Sequence, residues 1–204
     1  MSVDVTAIVL AAGESSRMGR PKPLLPLGDG TFLSQLLADL EASRVTRTLL
    51  VLGYHPEVIL EAMPVVVPLA VTNPDYQNGQ LSSLHVGLHA VGEGPDAVLM
   101  CLADHPFIGR EVIDLVIDGF ERTGLPIVVP TFEGRRGHPT LFARSLFREL
   151  LDAPLDQGAR VVVRAHAPEL LELPTTNRGI LADVDTPEQY ATWLAWWELR
   201  QRQG

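Results

Sequence analysis

The sequence has little cysteine and little positive charge, and it lacks a long hydrophobic run. Its 204 residues include one cysteine, Cys101, so a single chain can form neither an internal disulfide nor a cysteine-rich zinc site. Sixteen basic residues stand against 25 acidic ones, and a net charge of −9 argues against broad binding of nucleic acid or anionic membranes. No apolar run reaches the roughly 18 residues of a membrane span. Asp4 also stands where a signal peptide would carry basic residues, so we expect a cytoplasmic protein.

What the sequence does contain is an alternation of apolar, β-branched runs with segments of helical period. The runs that predict strands cover 5–11, 48–53, 67–72, 97–103 and 126–131. Leucines at 33, 36, 37 and 40 predict a helix with one apolar face. Successive strand and helix units predict a three-layer α/β/α fold with a mainly parallel, Rossmann-like sheet. With 46% hydrophobic residues in this length, we assign residues 1–204 to a single domain.

The remaining elements are less regular. Further helices are predicted at 56–63, 82–91 and 110–122. Residues 132–142 read as a loop with a short strand, 143–151 as a helix, and 171–185 as two late strands. A final helix is predicted from Pro187, with Thr186 as its cap, and its three tryptophans indicate packing or dimer contacts.

The stretch LAAGESSRMGRPK, residues 10–22, follows the first predicted strand and combines glycines, hydroxyls and cations. It is not a Walker loop, because five residues rather than four separate Gly13 and Gly19, and Lys22 follows Arg-Pro. The dinucleotide fingerprint also fails, since no glycine stands at position 15. What remains is a longer anion-binding loop in which Arg17 and Lys22 are cationic arms. Gly13 would let the chain approach a ligand closely or take positive φ.

The sequence LAAGESSRMGRPKPLL resembles the signature loop of nucleotidyltransferases with a glycosyltransferase-A-like fold. More narrowly, it resembles the molybdenum-cofactor branch, whose cytidylyl and guanylyl enzymes join a nucleotide to molybdopterin. Four further motifs carry the resemblance in order, so that it spans nearly the whole chain: NPDYQNGQLSSL (73–84), LADHPFI (102–108), GRRGHPTLF (134–142) and LADVDTPEQY (181–190).

The resemblance implies a nucleotide site built largely by the first loop. The backbone of Leu10, Ala11, Ala12 and Gly13 would border the nucleotide. Arg17 would meet the β- and γ-phosphates, and Lys22 would stabilise charge at the α-phosphate. Gly79, Ser82 and Ser83 would contact the base, and the sequence QLSSL around them resembles the cytidylyl branch, which favours CTP over GTP.

The resemblance also implies a metal and a second substrate. Asp104 and Asp185 would bind Mg²⁺, with Asp183 as the less favoured alternative to Asp185; carboxylates at the carboxyl ends of strands suit this ion. Asp104 and Asp185 could instead be helix caps. His105 departs from the family, which more often has glutamine or methionine there. Arg135, Arg136 and His138 would contact molybdopterin or its phosphate, although two loop arginines are also common as surface charges.

The expected activity is transfer of CMP from CTP to the terminal phosphate of molybdopterin, or of its molybdenum-loaded form, with release of pyrophosphate. The product could pass to a client molybdoenzyme. Within the same fold the alternatives are a GTP-using guanylyltransferase of this cofactor and a sugar- or small-alcohol-phosphate nucleotidyltransferase. A non-catalytic module that binds the nucleotide or delivers the cofactor is the alternative of another class, and loss of Lys22 or of the metal carboxylates would favour it.

Overall fold

A computed structural model describes residues 3–15 and 18–202 of the chain, which fold around one large sheet. The strands are β1 (Val5–Ala11), β2 (Pro26–Leu27), β3 (Gly30–Thr31), β4 (Arg47–Leu52), β5 (Ala70–Thr72), β6 (Ala97–Leu102), β7 (Ile127–Phe132), β8 (Arg135–Arg136), β9 (Thr140–Ala143) and β10 (Leu170–Pro174). Eight of these described strands form the large sheet, and β2 pairs with β3 in a small separate hairpin.

The strand order of the large sheet is β10-β7-β9-β6-β1-β4-β5, with β8 on the end of β7. The neighbours of β1 are both parallel to it, and Leu10 lies in register with Val51 of β4 and Leu102 of β6. Strand β9 runs antiparallel to β6 and β7. The prediction of a mainly parallel sheet is confirmed. The chain order reverses at β1 and β6, and such a switch point opens a crevice beyond the carboxyl ends of the strands.

Helices cover both faces of the sheet. They are α1 (Phe32–Glu41), α2 (Pro56–Ala62), α3 (Gln80–Val91), α4 (Gly109–Thr123), α5 (Phe147–Asp152), α6 (Arg160–Ala165) and α7 (Pro187–Gln201). One core cluster joins the sheet to α1 and α4, and a second joins its other face to α3, α5 and α6. The three-layer prediction is therefore confirmed. Cys101 lies in the first core, where burial raises the pKa of its thiol. The thiol therefore stays protonated and packs as a structural side chain.

Two local predictions were wrong, and one helix was not predicted. The second late strand is absent from the described residues, because Arg178–Leu181 forms a 3₁₀ helix held by side-chain hydrogen bonds rather than by strand pairing. The strand predicted at 67–72 begins at Ala70, since Pro64–Leu69 also forms a 3₁₀ helix. Helix α6 was not predicted, because its run RVVVRA is short and β-branched and occurs within a helix only through packing on the second core.

The tryptophans of α7 pack on a third cluster beside the sheet. Phe32 and Phe107 form its centre, and Trp193 stacks on Phe107 with the ring centroids 5.8 Å apart. The predicted packing role is confirmed for this helix. Thr186 caps it as expected, by accepting a hydrogen bond from the Gln189 amide. Among the described residues, no helix combines the length and the apolar character needed to cross a bilayer.

Candidate active site

A cleft of about 270 Å³ lies at the switch point, beyond the carboxyl ends of β1 and β6. Its walls come from three segments: the first loop, the start of α3 and the end of β6. Most nucleotide-contacting residues expected from the sequence line it, namely Leu10, Ala11, Ala12, Gly13, Lys22, Gly79 and Ser83, and so does the expected metal ligand Asp104. The structure therefore brings together residues up to 94 positions apart in the sequence, where the topology predicts a ligand site.

The first loop is shaped for close approach of a ligand. A Cβ atom added at Gly13 would meet nothing within 4 Å, so the chain there is open to the cleft. Positive φ occurs at Ser15 and Gly19 rather than at Gly13, so of the two uses proposed for Gly13 the structure retains close approach. The Ser15 hydroxyl accepts a hydrogen bond of 2.9 Å from the Lys22 amide and so closes the loop. Arg17 lies outside the described residues.

Lys22 connects the loop to two distant carboxylates. Its Nζ donates to Asp104 Oδ2 at 3.0 Å and to Asp185 Oδ1 at 2.5 Å. The lysine side chain is 15% exposed, so these ion pairs are partly shielded from water. Burial lowers the pKa of Lys22, but the charges and hydrogen bonds of Asp104 and Asp185 outweigh it and raise the pKa overall. The Lys22 ammonium thus lies at the cleft as a fixed positive charge, and the two carboxylates beside it carry more negative charge than it offsets.

Backbone pairing and a buried amide place the two carboxylates. The Ala103 amide donates to the Leu10 carbonyl at 3.0 Å, which extends the β1 and β6 pairing as far as Asp104. The buried Asn177 side chain donates to the Phe107 and Ile108 carbonyls at 3.1 and 2.6 Å. Because Ala182 and Val184 are then buried in the third core, Asp185 is directed toward Lys22. Asn177 gave no sequence signal beyond its place in a polar turn.

The carboxylates fit a hard divalent cation. Asp104, Asp183 and Asp185 each offer one oxygen, and these oxygens lie within 4.8 Å of one another. Carboxylate oxygens are the protein ligands that Mg²⁺ and Mn²⁺ prefer, usually with waters and substrate phosphates completing the shell. Asp183 is exposed, whereas Asp104 and Asp185 are half-buried and share Lys22. The acidic cluster thus contains both expected metal ligands and the alternative to one of them.

The start of α3 presents Ser83 to the cleft, while Ser82 has a structural role. Ser82 Oγ lies 2.8 Å from the Gly79 carbonyl and 3.1 Å from the Asp75 carbonyl, so its proton is used within the protein. The buried Asn73 amide donates to Ser82 Oγ at 2.9 Å and to Ser83 Oγ at 3.0 Å. Ser83 lines the cleft and Ser82 does not. Asn73 was missed in the sequence, although the motif that begins with it was recognised.

The three residues expected at the acceptor lie in different surroundings. Arg135 and Arg136 are exposed on β8, and Arg136 pairs with Glu172 at 2.6 Å. His138 instead packs edge-on against His105, with the ring centroids 4.8 Å apart. Burial lowers the pKa of both imidazoles, that of His138 to about 3, so both rings are neutral near pH 7. His138 lines a second cleft beside the first.

Comparison with known proteins agrees with this geometry. The family model described as "MobA-like NTP transferase domain" matches residues 7–170. The molybdenum cofactor cytidylyltransferase of Escherichia coli is 26% identical over 92% of this chain and 94% of its own length. A probable molybdenum cofactor guanylyltransferase of Mycolicibacterium paratuberculosis is 28% identical over 91% of this chain and 92% of its own.

Solved structures support the same relationship. The crystal structure of Rv0371c from Mycobacterium tuberculosis superposes with a TM-score of 0.84 at 29% identity, covering 96% of this chain and 99% of that one. The structure of Rv0371c in complex with manganese gives a TM-score of 0.78 at 28% identity, over 94% and 98% of the two chains. The family match covers well over half of the sequence and includes the first loop and Asp104. The chain therefore belongs to the family of MobA-like nucleotidyltransferases.

Proposed function

We propose that this nucleotidyltransferase transfers CMP from CTP to the terminal phosphate of molybdopterin, or of its molybdenum-loaded form, and releases pyrophosphate. The observation that carries the proposal is the convergence of Lys22, Asp104 and Asp185 at the mouth of the switch-point cleft. The names of the E. coli and mycobacterial relatives support the acceptor. Because CTP is a cytoplasmic metabolite, we place the reaction in the cytoplasm, with a client molybdoenzyme as the receiver of the product.

The reaction exchanges one phosphorus–oxygen bond for another. An oxygen of the acceptor phosphate forms a bond to the α-phosphorus of CTP. The bond from that phosphorus to the oxygen bridging to the β-phosphate breaks, and its electron pair leaves with pyrophosphate. A phosphate monoester is already anionic at neutral pH, so no general base is needed. The protein must position the reactants and stabilise the developing charge.

The residues of the cleft divide these tasks. The backbone of residues 10–13 would hold the nucleotide, and Lys22 would stabilise negative charge at the α-phosphate. For the β- and γ-phosphates we retain Arg17 as the proposed contact. Asp104 and Asp185 would hold Mg²⁺, which when bound would neutralise phosphate charge and orient the triphosphate. The manganese complex of Rv0371c supports a divalent ion in the family.

The preference for CTP rests on the Ser83 hydroxyl. The Asn73 side-chain amide donates a hydrogen bond to Ser83 Oγ, which directs the Ser83 hydroxyl proton toward an acceptor on the base. The Watson–Crick edge of cytosine offers two neighbouring acceptors, whereas that of guanine offers one acceptor and two donors. GTP remains the alternative, supported by the guanylyltransferase relative.

The test is pyrophosphate release from purified protein with Mg²⁺, molybdopterin and either CTP or GTP. We expect CTP to give the higher kcat/KM by at least 10-fold. Asp104→Asn and Asp185→Asn should each lower kcat by roughly 100-fold or more, as expected for loss of groups that hold a catalytic ion. Asp183→Asn, on the same segment as Asp185, is the matched comparison and should keep at least a third of the activity.

Other outcomes would select among the alternatives. Faster turnover with GTP would replace the cytidylyl assignment by the guanylyl one. Turnover with sugar phosphates but not with molybdopterin would move the protein to another substrate class. Nucleotide binding without any pyrophosphate release would support a delivery module. The convergence of Lys22 with both carboxylates argues against that last outcome, because a module that only binds has no need of a cation at the α-phosphate.

A further inference from the structure

The wall of the switch-point cleft contains a tyrosine to which the sequence motifs gave no role. Tyr76 begins a turn of 3₁₀ helix, Tyr76–Asn78, between β5 and α3, and it lines the cleft together with Ala12 and Gly79. Among the described residues that line this cleft, Tyr76 is the one aromatic residue. It is half-buried, so part of its surface can still meet a ligand.

Gly53, directly after β4, lets Tyr76 approach the first loop closely. A Cβ atom built at Gly53 would lie 2.6 Å from Tyr76 Cβ and 2.7 Å from the Ala12 carbonyl oxygen. A side chain at position 53 would therefore push Tyr76 away from Ala12. The Tyr54 amide also donates to the Ala12 carbonyl at 3.1 Å, which joins the end of β4 to the loop. Tyr76 is thus fixed beside the backbone that borders the proposed nucleotide.

A second tyrosine supports the Tyr76 ring from outside the cleft. Tyr54 packs edge-on against Tyr76, with the ring centroids 5.9 Å apart and the planes at 64°. His55 packs edge-on against Tyr54 in turn, at 4.2 Å. The edge-to-face arrangement is one that aromatic rings prefer. Tyr54 does not line the cleft, so its contact with Tyr76 orients the ring without touching a ligand.

The Tyr76 ring is held more firmly than its hydroxyl. The hydroxyl accepts a hydrogen bond from Gln77 Nε2 at 3.4 Å, which is long for such a bond. The Gly79 amide donates to the Tyr76 carbonyl at 3.1 Å, so the turn is joined to the start of α3. The part of Tyr76 with a defined position is therefore a flat apolar surface.

The two ends of a nucleoside triphosphate need different surfaces. Its phosphates need cations and amides, which Lys22 and the first loop would supply. Its base is flat, and contact with an aromatic ring stabilises a base through the face of its ring system. Ser83 offers a hydrogen bond to the edge of the base, but a hydroxyl offers little area to its face. Tyr76 supplies the kind of surface that Ser83 lacks.

We propose that the base of the nucleotide stacks on the ring of Tyr76, and that Tyr54 is a positioning residue for this ring. This inference rests on the proposed nucleotidyl transfer. Stacking depends little on the identity of the base, because every base has a π-face. Tyr76 therefore supplies affinity for the base, whereas the Ser83 hydroxyl supplies the choice between bases.

The experiment measures binding by titration calorimetry with Mg²⁺ and without an acceptor. The ligands are CTP, GTP and inorganic triphosphate, which has no base. Tyr76→Leu keeps apolar bulk and removes the ring. We expect it to raise the Kd of CTP and of GTP about 10-fold each, so that their ratio changes less than twofold. The Kd of inorganic triphosphate should change less than twofold, because the contacts to the phosphates remain.

Three further variants separate stacking from a general effect on the loop. Tyr76→Phe keeps the ring and should bind CTP within twofold of the wild type. Gln77→Ala changes a neighbour on the same turn that does not line the cleft, and it should match the wild type. Tyr54→Leu should raise the Kd of CTP about threefold and leave that of inorganic triphosphate unchanged, and Tyr54→Phe should restore wild-type binding.

Two results would overturn the inference. One is unchanged binding of CTP by Tyr76→Leu. The other is an equal loss of CTP and inorganic triphosphate, which would mean that Tyr76 only maintains the shape of the loop. If Tyr76→Leu does not fold, Tyr54→Leu decides by the same two criteria, since Tyr54 is 39% exposed and tolerates replacement.

The absence of an acceptor keeps this test separate from the proposed function. If Tyr76→Leu loses affinity for CTP and GTP alone, while the wild type releases no pyrophosphate with any acceptor, the stacking stands and the transfer reaction fails. If the wild type turns over CTP and Tyr76→Leu has the same KM for it, the transfer stands and the stacking fails.

Discussion

Lys22 holds together two carboxylates that would otherwise repel each other. It is the only lysine in the sequence, and its ammonium lies between Asp104 and Asp185. In the nucleotide-free protein the lysine thus offsets part of the charge that a metal would neutralise. The same cation would stabilise the α-phosphate during transfer, so its two roles predict opposite effects when it is removed.

Replacement of Lys22 by methionine should therefore slow catalysis and strengthen metal binding. We expect kcat to fall about 100- to 1,000-fold, the usual loss for one electrostatic donor at a reacting centre. The affinity for Mn²⁺ without nucleotide, followed by electron paramagnetic resonance, should rise severalfold because the competing cation is gone. Lys22→Arg keeps the charge and should show no tighter binding of Mn²⁺. Weaker binding of Mn²⁺ by the methionine variant would contradict the arrangement.

Asn73 sets the direction of the Ser83 hydroxyl. It is 1% exposed and donates to both serines, while its oxygen accepts from the Asp75 amide at 2.9 Å. Asn73→Asp replaces the donor by an acceptor, so Ser83 would turn its proton away from the base. We expect the KM for CTP to rise about 10-fold, measured by pyrophosphate release.

The control is Ser82→Ala, which removes a hydroxyl bonded to Asn73 that does not line the cleft. It should lower the free energy of unfolding by about 1 kcal/mol, as for loss of a local hydroxyl contact. Its KM for CTP should stay within twofold of the wild type. An equal rise in both variants would mean that Asn73 acts through stability rather than through Ser83.

At the scale of elements, the start of α7 positions Asp185, a proposed metal ligand. Gln189 Oε1 accepts hydrogen bonds from the Asp185 amide at 2.7 Å and the Thr186 amide at 3.0 Å, and the Thr186 hydroxyl accepts from the Gln189 amide. The capping box therefore restrains the residue that carries the carboxylate. Asp185 precedes the cap, so fraying of the helix would release it.

Thr186→Val, which removes the capping hydroxyl at nearly constant volume, should weaken both stability and metal use. The cost should be about 1 kcal/mol in the free energy of unfolding. Because Asp185 is then less restrained, the Mg²⁺ concentration for half-maximal turnover should rise about threefold or more. Thr186→Ser keeps the hydroxyl and should match the wild type in both. A stability loss without any change in Mg²⁺ dependence would separate the cap from the metal site.

Helix α1 carries a carboxyl whose ionisation opposes folding. Burial raises the pKa of Asp39 to about 6, the hydrogen bond from Gln35 lowers it, and the charge of Glu111 raises it further. A folded pKa above the unfolded value means that stability is complete below about pH 4 and is lost as pH rises through about 6. Asp39→Asn should therefore gain stability relative to the wild type as the pH increases.

The gain should reach about 1 kcal/mol at pH 8, allowing for solvent screening of a partly exposed group. It should shrink toward zero near pH 4, where the wild-type carboxyl is protonated in both states. Asparagine can still accept from Gln35, so the comparison isolates the charge. Chemical denaturation of both proteins from pH 4 to 8 measures it, and a difference that does not vary with pH would contradict the shifted pKa.

At the scale of the whole molecule, the periodicity of the sequence predicted the elements that depend on short-range patterns. It missed the elements that depend on tertiary contacts. Strand β1 coincides with its predicted range because every one of its residues is buried, which makes a continuous apolar run. The segment at Arg178–Leu181 ends in two apolar residues, yet it is held by Asn177 and forms no strand. No pattern within a short window of the sequence can indicate that the Asn177 side chain donates to the Phe107 carbonyl, 70 positions away.

The site shows the same division. Lys22 and Asp104 followed from motifs beside strong strands, and the structure brings them within 3.0 Å. The orientation of Ser83 by Asn73 depends on how α3 packs beside the end of β5, and the second cleft, which His138 and Thr140 line, forms where β9 pairs with β6. The sequence therefore identified the residues that carry charge, while the orientation of Ser83 and the shape of the second cleft depend on packing between separate elements.

A bound ligand would therefore connect segments from separate parts of the chain. The first loop, the end of β6 and the segment before α7 each supply part of the proposed site for Mg²⁺ and CTP, so binding joins both ends of the chain to the central strand. A ligand that binds only the folded state at 100 times its Kd stabilises it by about 2.7 kcal/mol. For a domain of this size the melting temperature should rise by about 5 to 11 °C.

The rise should require nucleotide and metal together. CTP alone brings its phosphates against Asp104 and Asp185, and Mg²⁺ alone competes with Lys22 for the same carboxylates, so each alone should give less than half of the combined shift. Thermal melts with CTP, with Mg²⁺ and with both measure this, and Asp104→Asn should lose the excess of the combined shift over the two separate ones. An equal shift with CTP in the presence of a chelator would contradict this prediction, because it would mean that CTP binds without an ion shared with the carboxylates.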